Sequence, residues 1–283
     1  MIETRQCVDA FCEYMNKKGI EIGMKNSQFK DPAGVENYSN ATDILHLLLN
    51  ANMSETLKSI WGKEKYTISI KGKNAREMEI MSYTLIGEGS SDICDYYKVL
   101  RGKGGTLNIP KIYNTALIVD VPSSNKKFAC VVMGADEAND RPNNRYKAAK
   151  TVIDIVSGKV EPDSYVCAES AVACLLPENH SKKVNFLYEK NAVNKNMPAS
   201  ISKLLTSLVV LEFIVDLDTM VTVTEEDIAM IPDLFYQEDF KVGDVVSVKE
   251  LIAGMMYPSS NAAAYVLGRF VGEMILNKKT EEQ

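Results

Sequence analysis

The chain has 283 residues, 46% hydrophobic and 25% charged, with a formal net charge of −6. That length permits one large domain or two small ones, and the composition is that of an ordinary soluble globular protein. No basic field exists to attract phosphates, which excludes nucleic acid as an expected partner.

Residues 5–22 read as a helix, and 41–52 as a second, with Ile44, Leu45, Leu48 and Leu49 on its apolar stripe. Between them, 26–40 is loop-like, carrying Asp31-Pro32 and Gly34. Residues 66–70 alternate as a short strand. Strands follow at 107–109, 115–121 and 127–134, the last two joined as a hairpin by Pro122-Ser123-Ser124-Asn125. A helix over 143–156 stops at Gly158, and 165–176 with 184–189 form a second strand pair. Residues 200–215 are a strongly apolar helix. Short strands about 220–223 and 245–248, then helices from Lys249 and from Asn261, complete the chain. Two hairpins flanked by helices predict an α+β protein. The expected layout is a single domain, 1–283, with a sheet lobe at 85–215 and a mostly helical lobe from 1–84 and 216–283.

The opening residues, Met1-Ile2-Glu3-Thr4-Arg5-Gln6, lack the basic start and apolar run of a signal peptide. The most apolar stretch, 204–217, contains Glu212 and Asp216 and is too short for a transmembrane segment. The six cysteines, at 7, 12, 94, 130, 167 and 174, form no Cys-x-x-Cys pair, which disfavours a metal site. They read as small buried hydrophobes suited to a reducing compartment or an anaerobic source. Neither of the two histidines, His46 in a leucine-rich helix and His180 in a polar turn, has the setting of a catalytic triad.

Ser-x-x-Lys occurs four times, from Ser27, Ser123, Ser124 and Ser200. Ser27 lies in an irregular segment, and Ser123 and Ser124 in a hairpin turn. Only Ser200 heads a long apolar helix, where residues three apart share a face and bring a hydroxyl to the Lys203 amine. On that tetrad alone, a capped core helix with a solvated lysine is the better reading. Tyr257-Pro258-Ser259-Ser260-Asn261 places a hydroxyl and an amide two residues apart, although Pro-Ser-Ser-Asn also occurs at 122–125. Arg101-Gly102-Lys103-Gly104-Gly105-Thr106 precedes a predicted strand. Its glycines admit close backbone approach, and Lys103 can attract a carboxylate. A phosphate loop would need Ser or Thr after Gly-Lys, where Gly104 stands.

Long flanking matches extend these motifs. Residues 187–206 around Ser200 and Lys203, and 256–263 around Ser259 and Asn261, resemble the D-alanyl-D-alanine carboxypeptidases. Residues 23–43 resemble the segment that follows in those enzymes, and Gly102–Thr106 their Lys-Thr-Gly strand. The resemblance implies a β-lactamase/transpeptidase-like, two-lobed fold: an antiparallel sheet flanked by helices plus a mostly helical lobe. It implies Ser200 as nucleophile, Lys203 as general base, Ser259 as proton relay and Asn261 as holder of the substrate amide. Lys103, Gly104, Gly105 and Thr106 would bind substrate, with the backbone N–H groups of Ser200 and Thr106 as oxyanion hole. A nearby cation such as Lys103 would lower the Lys203 pKa. No metal or organic cofactor is implied.

The expected activity is serine-type D-Ala-D-Ala carboxypeptidase action on peptidoglycan stem peptides, with penicillin binding. Serine β-lactamase is the alternative enzyme, with Glu225, Glu226 and Glu238 as unsupported candidates for positioning water. A non-catalytic penicillin-binding-like protein is the third reading, motivated by Gly104 standing where the family has a hydroxyl. Thr106 is expected to point elsewhere, and Gly104→Thr to speed acylation. Family members act outside the cytoplasmic membrane, whereas the opening residues and the cysteines lean the other way. Lys103 precedes Ser200 here, the reverse of the family order. Residues 163–283 resemble the family's first half and 1–157 its second, so the chain reads as a circular permutant, natural or engineered.

Overall fold

The computed structural model describes residues 3–108, 111–135, 144–177 and 184–281. The helices are α1 (Thr4–Glu21), α2 (Ala41–Met53), α3 (Glu55–Ile60), α4 (Ser91–Cys94), α5 (Arg145–Val156), α6 (Lys203–Phe213), α7 (Glu225–Ala229), α8 (Val248–Met256) and α9 (Asn261–Glu281). The strands are β1 (Lys65–Gly72), β2 (Arg76–Met81), β3 (Lys98–Asn108), β4 (Lys111–Val121), β5 (Lys126–Ala135), β6 (Ala168–Leu175), β7 (Phe186–Lys190), β8 (Met220–Thr222) and β9 (Asp244–Ser247). This is a mixed α/β molecule with antiparallel sheets, as the sequence predicts.

The two predicted strand pairs belong to one antiparallel sheet of order β3-β4-β5-β6-β7. Its central strands β4, β5 and β6 are apolar on both faces because both faces are covered. Ile118, Val131 and Val172 face the core that α2 completes with Ile44, Leu45 and Leu48. Their neighbours Leu117, Val132 and Ala171 face the other core, closed by Val152 and Ile153 of α5. At the β4–β5 hairpin, Asn125 takes the left-handed conformation the tight turn requires (φ 51°).

The second sheet, order β2-β1-β9-β8, joins strands from the two ends of the sequence. It is pinned by Asp244, whose buried carboxylate receives Arg76 Nη1 and Nη2 at 3.1 and 3.0 Å and Asn74 Nδ2 at 2.9 Å. Around it, α6 packs among α1, α2, α8 and α9. Helices α1 and α9 touch closely: a Cβ built on Gly272 would lie 1.9 Å from the Cys7 carbonyl oxygen.

Two expectations need correction. Residues 101–106 do not precede a strand but form the middle of β3, which spans 98–108 rather than 107–109. Glycines lower strand propensity, yet here they permit contact: a Cβ on Gly102 would lie 2.5 Å from both Leu117 and Thr84. Residues 200–202 are not α-helical; a 3-10 turn, Ala199–Ser202, precedes α6. Helices α3, α4 and α7 and strand β2 carried too short a periodic signal to be anticipated. His180 and Asn143 lie outside the described residues.

Candidate active site

Ser200 sits in the 3-10 turn, where side chains at i and i+3 eclipse, so its hydroxyl stands directly over Lys203. The residue before it, Ala199, holds φ at 51°, a left-handed conformation that costs a non-glycine residue about 1 kcal/mol or more. That turn is braced from two sides. A Cβ on Gly34 would lie 2.0 Å from the Ala199 carbonyl oxygen, and one on Gly105 would lie 2.5 Å from that of Pro198. Only hydrogen side chains fit at these two positions.

Lys203 is fully buried. Its Nζ lies 2.8 Å from Ser200 Oγ, 2.7 Å from Asn261 Oδ1 and 2.9 Å from the Ala33 carbonyl oxygen. The Asn261 amide has a defined orientation, because its Nδ2 donates to the Phe235 carbonyl at 2.7 Å. Burial pushes the Lys203 pKa down to about 7, against the fields of Asp31 and Asp239, which raise it. The expectation is that a nearby cation such as Lys103 lowers this pKa; the downward cause is instead desolvation of the ammonium, which outweighs the neighbouring carboxylates.

Lys103, on the edge strand β3, is 2% exposed. Its Nζ donates to Ser259 Oγ at 2.9 Å and to the Gly104 carbonyl at 2.9 Å. Burial, then the charges of Lys203 and Arg145, lower its pKa well below the ordinary lysine value. Ser259 follows α8 in a left-handed conformation (φ 68°), and Ser260 Oγ then receives the Ala263 N–H at 3.0 Å, capping α9. Asn261 therefore enters the site from the first turn of that helix.

Ser200, Ser259, Asn261, Lys103, Gly104 and Thr106 all line one cleft of about 270 Å³. Lys203 lies beneath it, and Gly105 packs on the Ser200 turn. The residues singled out from the sequence are thus brought together from three separate stretches. The cleft's other wall is Leu234, Phe235, Tyr236 and Gln237, tied to the site through Asn261, whose backbone N–H donates to Gln237 Oε1 at 2.9 Å.

Thr106 does not point away from Gly104. Residues two apart on a strand share a face, and both look into the cleft. Arg145, at the start of α5, was not anticipated. Its Nη1 donates to Thr106 Oγ1 at 2.9 Å and lies 3.1 Å from where a Gly104 Cβ would be. A guanidinium therefore stands where the missing hydroxyl side chain would reach. An arginine following Asn143-Asn144, with Arg141 nearby, gives no signal in sequence.

The other Ser-x-x-Lys serines are elsewhere: Ser27 Oγ donates to Asp43 Oδ2 at 2.7 Å, and Ser123 and Ser124 form the hairpin turn. Glu225, Glu226 and Glu238 are not among the cleft-lining residues. His46 lines a different depression, near Gly23 and Leu49.

A serine hydroxyl on a buried amine of lowered pKa, beside a second lysine-bound serine, is an arrangement for acyl transfer. Residues 158–273 match the D-alanyl-D-alanine carboxypeptidase family. The matched stretch contains Ser200, Lys203, Ser259 and Asn261 and ends before α9 does. It supports D-Ala-D-Ala carboxypeptidase activity in general, hence a hydrolase, and suggests a peptidoglycan peptide as substrate. No curated protein and no solved structure matches the chain. Among the described residues, no helix is long and apolar enough to cross a membrane.

Proposed function

We propose that the protein is a serine-type D-Ala-D-Ala carboxypeptidase that cleaves peptidoglycan stem peptides through a Ser200 acyl-enzyme and is acylated by penicillins. The observation that carries this reading is the set of partners around Lys203. A neutral amine has two N–H donors and one lone pair. The Ala33 carbonyl and Asn261 Oδ1 can only accept, so they take both donors. The lone pair is left for the Ser200 hydroxyl, 2.8 Å away. With a pKa of about 7, that amine is unprotonated in a large fraction of molecules at neutral pH.

Ser200 Oγ attacks the scissile carbonyl carbon as its proton passes to Lys203. The backbone N–H groups of Ser200 and Thr106 receive the oxyanion, a preorganised contribution that is commonly the largest in acyl transfer. Ser259, held by Lys103, relays the proton taken up by Lys203 to the leaving amine as the C–N bond breaks and D-alanine departs, which returns Lys203 to its neutral form. Asn261 keeps one N–H of its amide for the substrate. Water then attacks the ester, with Lys203 again as base, and Ser200 is regenerated. Arg145 supplies the positive potential that draws the substrate carboxylate into the cleft, beside the Lys103 amine and the Thr106 hydroxyl.

We infer in addition that the chain is a circular permutant of this family, as one domain with a sheet lobe at 85–215 and a second lobe from 1–84 and 216–283. Supporting this are the close packing of α1 on α9 and the matched stretch that holds two motifs but not Lys103.

The test is intact-mass detection of a penicillin adduct with its site mapped and its decay timed. A long-lived adduct on Ser200 supports the carboxypeptidase. Rapid turnover would replace it with a β-lactamase, and absence of any adduct with a non-catalytic protein.

A further inference from the structure

The loop before α2 contains a carboxylate that the proposed chemistry has not yet used. Asp31 is buried, and its oxygens receive four successive backbone N–H groups. Oδ1 accepts from Ala33 at 2.9 Å, Gly34 at 2.5 Å and Val35 at 3.0 Å, and Oδ2 accepts from Glu36 at 2.7 Å. Asn37 closes the same loop: its Oδ1 accepts from Lys30 N at 2.7 Å and its Nδ2 donates to the Asp31 carbonyl at 2.9 Å. One carboxylate thus fixes the peptide planes of 33–36. Two of those residues meet the site directly. The Ala33 carbonyl accepts from Lys203 Nζ, and Gly34 packs on the Ala199 carbonyl next to the nucleophile.

We propose that Asp31 is the positioning residue of the catalytic base: its carboxylate holds the Ala33 carbonyl on Lys203 and so aims the amine's lone pair at Ser200. This rests on the serine acyl-transfer reading above. If Ala33 rotated away, one N–H of Lys203 would be released, and the amine could turn that hydrogen toward Ser200 instead. The hydroxyl would then face a donor and could not give up its proton. The Asp31 charge has a second effect through space, because it favours the protonated amine and keeps Lys203 from falling further in basicity. The charged groups facing Lys203 are Asp31 from this loop, Asp239 from the loop before β9 and Lys103 from β3. Only Asp31 also touches the peptide that binds the amine.

Geometry and charge separate in two variants. Asp31→Asn can keep the three N–H contacts of Oδ1 while losing the charge; Asp31→Ala loses both. Two readouts are taken on each folded variant and the native chain. One is the Lys203 titration midpoint, from the ¹³Cε shift in ¹³C-lysine protein assigned with Lys203→Ala. The other is the rate of penicillin acylation against pH. Asp31→Asn is expected to lower the Lys203 midpoint by about half a unit or more, with the acylation profile moving equally and its plateau kept within about threefold. Asp31→Ala is expected to lower the plateau by about tenfold or more at every pH. A Lys203 midpoint unchanged in both variants, or a native plateau in folded Asp31→Ala, overturns the proposal. A native chain that takes no penicillin refutes the acyl-enzyme reading, while the ¹³C midpoints still decide whether Asp31 governs the amine. If Asp31→Ala does not fold, Asp31→Glu takes its place, keeping the charge while displacing the oxygens from the 33–36 N–H groups: a native plateau in it overturns the assignment.

Discussion

At the scale of single residues, the site turns on what burial does to two lysines. Lys203 has no exposure to water, so its charged form loses hydration that Asp31 and Asp239 only partly replace. The sign of the consequence follows directly. A lysine whose folded pKa is below its unfolded value binds fewer protons when folded, between about 7 and about 10.5. Stability contributed by this group therefore rises with pH across that window. The native chain's stability relative to Lys203→Met should increase from pH 7 to pH 10, measured by urea unfolding of both; a constant difference would place the Lys203 pKa elsewhere. The rate of penicillin acylation should rise through pH 7 for the same reason, as the base loses its proton. Ser200→Ala should abolish labelling with the fold intact, and a labelled peptide from Ser27 or Ser123 would reassign the nucleophile. Arg145 makes a fourth prediction. A hydrogen bond to a charged group contributes about 1.5–3 kcal/mol, so Arg145→Ala should slow cleavage of a peptide with a free carboxylate by about tenfold or more. The same peptide ending in an amide should be slowed less; equal losses would give Arg145 a purely structural role.

At the scale of elements, close backbone contacts set how the pieces meet. Helices α1 and α9 approach at Gly272, where a Cβ would lie 1.9 Å from the Cys7 carbonyl oxygen, an atom that cannot swing aside. Gly272→Ala must push the helices apart and is expected to destabilise by about 1–3 kcal/mol, seen as a lower Tm. An unchanged Tm would mean that the pair slides without cost. The same kind of contact explains what could be read in the sequence. The nucleophile helix was legible because Leu204, Leu205, Val209 and Val210 make a long apolar run with one serine and one lysine three apart at its head. Strands β4, β5 and β6 were legible because both faces are buried and the runs are apolar throughout. Strand β3 was misjudged because glycines at 102, 104 and 105 satisfy tertiary contacts that no local pattern reports. Arg145 was missed because its meaning comes from Thr106 and Gly104, some forty residues earlier in the chain. Burial as the cause of the Lys203 shift was out of reach too, since it depends on the Asp31 loop closing over the amine.

At the scale of the whole molecule, the order of the motifs is the feature to explain. Strand β1 from the first third of the chain pairs with β9 from the last, through Lys71 with Val245 and Gly72 with Asp244. Helix α1 lies along α9, with Lys279 Nζ 3.3 Å from Glu13 Oε2. The segments 3–84 and 216–281 thus contribute to one core, which is what a permutant requires. On the sheet side, α5 ends at Val156 and β6 begins at Ala168, both against β5. The turn between them is closed by Gly158, whose φ of 74° lets its N–H reach the Ile155 carbonyl at 3.0 Å. Little chain is needed there, because the two elements are already neighbours. Cutting that link and joining the other ends, as 163–283 followed by 1–157, leaves the cleft residues untouched but needs a connection from the end of α9, which lies against Glu13 in the middle of α1, back to the start of α1. The rejoined chain should fold cooperatively, migrate as the same molecular species, and take penicillin on the same serine at a rate within about threefold of the original. The change acts on chain connectivity, which alters loop-closure entropy only weakly, and leaves the reacting groups in place. A rejoined chain that fails to fold, or folds without labelling, would refute the permutation. A third result is also decisive: if the original chain is a dimer in light scattering and the rejoined one a monomer, the two halves are complemented between molecules and not within one.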